Sequence, residues 1–157
     1  MISTAFIGSD PTAAVELFEE PDFYFRTPVP DLLSEPEIRA LLAPDAVLCR
    51  SGGRPVGLIW LPLAQDHGYA GHRVLHARFA RRVPADAAAG TVGSVLCTLA
   101  GRRPVHRVTH TVYGGDRRGV ALAEAAGFEL EGALPVLVAV GGAWHDLRLY
   151  AKVAAGA

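Results

Sequence analysis

Lysine is almost missing from this chain: of 15 basic residues only Lys152 is a lysine, and the others are arginines. With the many alanines, that bias reflects a GC-rich genome rather than a binding surface. Cysteine is scarce as well. Cys49 and Cys97 sit in apolar settings, "AVLCR" and "SVLCTLA", and are expected to be small buried hydrophobes. No His/Cys spacing matches a zinc site, so no metal is expected. No apolar run approaches the roughly 18 residues that cross a bilayer. Met1-Ile2-Ser3-Thr4 lacks the basic-then-apolar pattern of a signal peptide. Neither sign of charge is in excess: the formal net charge of −1 leaves no field to hold nucleic acid or an anionic membrane. These absences lead to the expectation of a cytoplasmic protein that binds neither.

Half of the 157 residues are apolar and a fifth are charged, which fits one globular domain, 1–157, with room for a core. Residues 4–8 read as a first strand, closed by Ser9-Asp10-Pro11. Asp10 before Pro11 predicts a helix start, because Asp accepts from free N–H groups and proline fits the first turn. That helix carries Ala14, Val15, Leu17 and Phe18 and stops before Pro21. A proline-rich connector, "FYFRTPVPDLL", leads to Ser34, where Glu37 completes a capping box for a helix over 34–43. Strands over 46–50 and 56–63 flank Gly52-Gly53, a hairpin signal. After a loop over 64–71, a fourth strand spans 72–83, and a helix spans 86–99, closed by Gly101. A strand over 106–113 and a helix over 116–126 follow, a crossover that makes the fourth and fifth strands parallel neighbours. Strands over 128–140 and 143–153, joined by Gly141-Gly142, form an antiparallel hairpin. The fold class is α/β: a mixed, mostly antiparallel sheet with a central parallel pair and flanking helices.

Alternation by two puts His72, Val74, His76 and Arg78 on one face of the fourth strand. His106, Val108, His110 and Val112 share a face of the fifth. With the two strands side by side, His76 and His110 are expected to approach one another. Imidazoles titrate near neutrality, so the pair is a candidate general base; the alternative is hydrogen-bonded sheet-face histidines.

The stretch from Val105 to Val153 has "AEAAGFELEGAL" at its centre and Trp144-His145-Asp146 beyond the last turn. It resembles the last third of the GNAT acyltransferase superfamily, and the order of elements is similar from about Ser34 onward. "GFELEGALP" resembles the branch that acetylates ribosomal-protein N-termini, starting at alanine, and antibiotics. The resemblance implies an acyl-coenzyme A-dependent N-acyltransferase. Its cofactor is acetyl-CoA or another acyl-CoA, and its partner a small-molecule or peptide amine. It also implies that the fourth and fifth strands splay to hold coenzyme A, with the pyrophosphate on the loop opening the next helix.

The family writes that loop Arg/Gln-x-x-Gly-x-Gly/Ala. Here it falls on Ala88, Thr91 and Gly93, followed by Ser94, with Asp86 in the usual acidic place. Ala88 replaces the side chain that pairs with the phosphates, and Thr91 the first glycine; Gly90 comes one residue early. Arg81, Arg82, Arg117 and Arg118 are candidates to supply charge, or solvated surface groups. The N–H groups from Arg81 to Val83 are the candidate polarisers of the thioester carbonyl. In the second family motif Asp116 stands for the usual asparagine, Gly119 for a small residue, and Ala123 for the tyrosine that protonates the leaving thiolate. Tyr113 is the candidate substitute for that acid, or a buried tyrosine with an ordinary partner.

Phe23, Tyr24 and Phe25 fall where the family covers the acceptor pocket, and are candidate substrate contacts or a cap on the core. Glu131 is read as a contact holding the hairpin turn, and Glu16 as a solvated charge. Similar proteins commonly form homodimers, though nothing in this chain displays an interface. The altered loop supports an alternative: a GNAT-fold module that binds a ligand or partner, or runs a different reaction.

Overall fold

The computed structural model of the protein describes residues 1–8, 11–64 and 71–154, apart from the side chain of Val136. They fall into two compact units, Met1–Trp60 with His76–Val83, and Leu61–Leu75 with Pro84–Ala157.

The first unit holds β1 (Ile2–Phe6), β2 (Val47–Ser51), β3 (Arg54–Trp60) and the second half of β4 (His72–Phe79). All of these pair antiparallel, the last from Gly57↔Phe79 to Trp60↔His76. Gly52 and Gly53 turn β2 into β3 with φ of 57° and 80°, left-handed values that glycine alone takes without strain. α1 (Thr12–Val15) runs into a 3-10 turn over Glu16–Glu19, and α2 (Glu35–Leu41) follows the connector. The Ser34 side chain accepts from the Glu37 backbone N–H, and the Ser34 backbone N–H donates to the Glu37 carboxylate at 2.8 Å, so the expected capping box forms. The Asp10 cap expected for the first helix lies outside the described residues; Pro11 occupies the cap position without a side-chain bond. Leu17, Phe18, Phe23, Phe25, Ile38, Leu42, Leu48 and Leu58 build one core. Phe18 meets Phe23 and Phe25 edge-on at 5.1 and 6.5 Å, the geometry that the ring quadrupoles favour.

In the second unit the first half of β4 pairs parallel with β5 (Arg107–Tyr113). β5 pairs antiparallel with β7 (Ala143–Val153), and β7 with β6 (Glu129–Val140). α3 (Ala85–Ala100) and α4 (Arg117–Ala125) complete it. The strand order is β1-β2-β3-β4-β5-β7-β6, a mixed sheet with one central parallel pair. Gly141 and Gly142 take φ of 58° and 78° at the last hairpin turn.

Several expectations change in detail. β4 ends at Phe79, not near 83, because the chain turns there and the Val83 N–H bonds the Ala80 carbonyl at 2.9 Å. α3 begins at Ala85 directly behind Pro84, whose ψ of 148° keeps it outside the helix. Gly101 ends α3 at φ −67°, within the ordinary helical region, so its glycine freedom is not used. Cys49 is buried and burial pushes its thiol up to about 12, but Cys97 is exposed on α3 and is no core residue. Glu131 pairs with Arg107, tying β6 to β5 far from the hairpin turn it was expected to hold.

Candidate active site

The parallel ladder between β4 and β5 is short. It runs from His72↔Arg107 to Leu75↔His110 and ends there. β4 continues to Phe79 bonded to β3, and β5 continues to Tyr113 bonded to β7. Beyond Leu75, therefore, one edge of β4 has no strand paired to its backbone N–H and C=O groups among the described residues.

The two histidines do not share a face. Paired residues in a parallel ladder project the same way, so His110 goes with Leu75, and Thr109 with Val74. His76 follows Val74 by alternation and so takes the other face of β4. This corrects the expectation that His76 and His110 meet; each has a separate environment. His110 is buried, and its Nδ1 lies 2.9 Å from the Leu75 carbonyl. A carbonyl only accepts, so Nδ1 carries the proton, leaving Nε2 a buried acceptor with no partner among the described residues. Burial lowers its pKa, against the weaker opposing pulls of the Leu75 bond and the Asp116 charge. His76 is half-buried and stacks on Trp60 at 5.4 Å.

The phosphate residues expected from sequence lie inside a helix, not on a loop. The Ala88 N–H already bonds the Pro84 carbonyl at 3.0 Å. Thr91 is buried and its hydroxyl donates back to the Ala87 carbonyl, while Gly90, Gly93 and Ser94 occupy the second and third turns. Only the N–H groups of Ala85, Asp86 and Ala87 precede the first helical bond, and no side chain caps them. These three fit an anion, although the Asp86 carboxylate beside them opposes one.

The N–H donors expected between Arg81 and Val83 are largely committed. The Arg81 N–H donates to both carboxylate oxygens of Glu20 at 2.8 and 3.0 Å, and that of Val83 to Ala80. The Arg81 guanidinium pairs with Asp22 at 2.8 Å, and Arg82 reaches the Pro55 carbonyl at 2.7 Å. Arg117 is exposed and Arg118 half-buried on the first turn of α4.

Asp116 caps α4, its carboxylate accepting from the Gly119 N–H at 3.1 Å. Both residues therefore have structural duties. Burial, aided by the Asp116 charge, pushes the Tyr113 phenol up to about 12, so it stays protonated through the neutral range. Ala123 is buried on α4.

Phe23 and Phe25 are fully buried in the core of the first unit, which leaves them no surface for a substrate. That corrects their expected role; the apolar pattern was core. Tyr24 is half-buried, its hydroxyl on Asp22 at 3.0 Å and its ring beneath the Arg78 guanidinium. Sequence reading passed over their neighbour Arg26. Its guanidinium lies 4.1 Å from the centre of the Trp60 ring, whose Nε1 donates to Asp45 at 2.9 Å. No local signal joins Arg26, Trp60 and His76, which come from three distant segments.

Among the described residues no cluster of His, Cys, Asp and Glu is placed to hold a metal, and no helix is long and apolar enough to cross a membrane. No family model matches the chain, and neither does any curated protein. Solved structures do match. One is the acetyl transferase from Salmonella typhimurium that modifies the N-terminal serine of the 50S ribosomal subunit protein L7/L12. It superposes with a TM-score of 0.78 over 98% of this chain and 95% of its own, at 12% identity. The ribosomal-protein-alanine N-acetyltransferase from Brucella melitensis gives 0.73 over 98% and 99%, at 18% identity. A ribosomal L7/L12 alpha-N-protein acetyltransferase in complex with coenzyme A gives 0.77 over 97% and 93%, at 14% identity. Such identities speak for architecture alone, and the architecture is plain: this chain has the GNAT acetyltransferase fold.

Proposed function

We propose that the protein is an acyl-coenzyme A-dependent N-acyltransferase that moves an acetyl group to an amine of a small molecule or a protein N-terminus. One observation carries this reading: β4 and β5 stop bonding to each other after Leu75↔His110 while both strands run on. The unshared edge of β4 offers backbone groups that suit the amide-bearing arm of coenzyme A. The uncapped N–H groups of Ala85, Asp86 and Ala87 suit its pyrophosphate.

Bound acyl-CoA would supply the activated acyl thioester. The chain's own residues do the rest. His76, half-buried and braced by Trp60, takes at a ring nitrogen the proton that the acceptor amine loses. Tyr113 keeps a phenolic proton for the departing sulfur, since burial holds it in the neutral form. His110, buried with its tautomer fixed, positions the end of the ladder through Leu75.

A second reading, a binding module without acyl transfer, draws on two observations. Glu20 holds the Arg81 N–H, and Asp86 places a negative charge at the mouth of α3. A thermal melt with acetyl-CoA, followed by an assay for free thiol with a panel of amines, separates the two. A cofactor at a hundredfold excess over its dissociation constant should add about 2.7 kcal/mol, and an amine should then release coenzyme A. No shift at millimolar acetyl-CoA would reject the transferase and leave the binding module.

A further inference from the structure

Arg26 is the least explained cation of the first unit. Its backbone sits at φ 61°, in the left-handed region that an arginine occupies only when its surroundings hold it there. The side chain donates once, to the Leu41 carbonyl, and otherwise lies over Trp60. No carboxylate pairs with it among the described residues, and partial burial opposes its charge. Among the described residues, most of the five donors of this guanidinium are therefore unspent, on an exposed residue against a fixed aromatic wall.

Trp60 is fixed from several sides. Its Nε1 donates to Asp45, its ring stacks with His76 at an interplanar angle of 23°, and it packs against the core of the first unit. Such a wall holds a guanidinium flat and keeps its fork pointed in one direction. A planar fork without a countercharge matches a carboxylate, by two parallel N–H···O bonds.

We propose that Arg26, backed by Trp60, anchors a carboxylate on the acceptor, so that the acceptors of this protein are amines that also carry a carboxylate. This rests on the acyl-transfer reading of His76 as the base, because Trp60 contacts both Arg26 and His76. Amino acids and short peptides with a free C-terminus belong to this class. Amines without an acidic group do not.

The test needs no cofactor. In a Trp144→Phe background, which removes the other, exposed tryptophan, emission reports on Trp60 alone. The protein is titrated with γ-aminobutyrate and glycylglycine, and with the methyl ester of each. Both acids should shift the emission, and the esters should bind at least about tenfold more weakly. Arg26→Gln should abolish the preference for the acids, whereas Arg26→Lys should keep part of it. Equal binding of acids and esters overturns the anchor, and so does an undiminished preference in Arg26→Gln. A response to phosphoethanolamine with none to the carboxylates overturns it as well. An acid preference without acetyl-CoA binding upholds the anchor and rejects the transferase; acetyl-CoA binding without an acid preference does the reverse.

Discussion

The imidazole of His110 donates its Nδ1 proton to the carbonyl of Leu75 at 2.9 Å, at the last pair where β4 and β5 bond each other. A side chain thus satisfies a backbone acceptor where the ladder ends. The Nδ1 proton is present in the neutral ring and in the imidazolium alike, so it is burial that favours the neutral form, and Phe128, edge-on at 6.1 Å, closes off part of the ring's surroundings.

That burial makes stability depend on pH. Unfolding returns His110 to water and to its ordinary value of 6.5, above the folded value that burial depresses. Below 6.5 the unfolded chain binds a proton that the folded chain refuses, so stability falls as the pH drops through that value. Urea melts between pH 8 and pH 5 should show the decline, and His110→Asn should flatten it, since asparagine can donate to Leu75 without titrating. An unchanged slope in that variant would mean that His110 does not set the decline.

The mouth of α3 offers an electrostatic test of cofactor binding. Ala87→Asp adds a negative charge where an N–H is unbonded, and should weaken acetyl-CoA by about tenfold or more in calorimetry. Asp86→Asn removes one and should tighten binding by a few-fold. Gly93→Asp lies in the third turn, where an added Cβ meets nothing within 4 Å, and should leave affinity near that of the parent. If Gly93→Asp were the damaging change and Ala87→Asp the silent one, the phosphates would lie where the family motif put them in the sequence.

These outcomes bear on what could be read from residues alone. Period and turn chemistry carried the architecture: Gly52-Gly53 and Gly141-Gly142 marked both hairpins, Ser34 and Glu37 a helix start, and the helix after β4 a parallel crossover. What failed was long-range. Register decides which face His76 and His110 take, and a strand's own alternation cannot supply it. The aromatic run at Phe23, Tyr24 and Phe25 looked alike in sequence, yet two are core and one is not, and the left-handed backbone of Asp22 and Arg26 on either side carries no sequence signal. The Glu20–Arg81 and Arg26–Trp60 contacts join residues with no shared local pattern.

Gly119 illustrates a constraint that propensity reverses. Alanine is ordinarily the better helix former by about 1 kcal/mol. Here a Cβ would stand 2.4 Å from an Asp116 carboxylate oxygen and 2.8 Å from the Val112 side chain. Gly119→Ala should therefore destabilise the fold by about 1–3 kcal/mol in chemical denaturation, since overpacking outweighs the propensity gain. A stabilised variant would show that Asp116 can leave its capping position at little cost.

Asp116 itself links two ionisable groups. Its charge raises the pKa of both Tyr113 and His110, although burial drives them in opposite directions. Asp116→Asn keeps an oxygen to accept from Gly119 and removes the charge, so helix capping should survive within about 1 kcal/mol. The Tyr113 phenol should then titrate below its present value of about 12 but still above 10, because burial, the larger cause, remains. His110 should become harder still to protonate, which extends the acid range in which its ring stays neutral. Carbon-13 chemical shifts of the two rings, followed through a pH series, measure both at once. Downward movement of both midpoints is the expected result. Movement of neither would place the Asp116 charge beyond effective reach of this part of β5, and Tyr113 would then owe its elevation to burial alone.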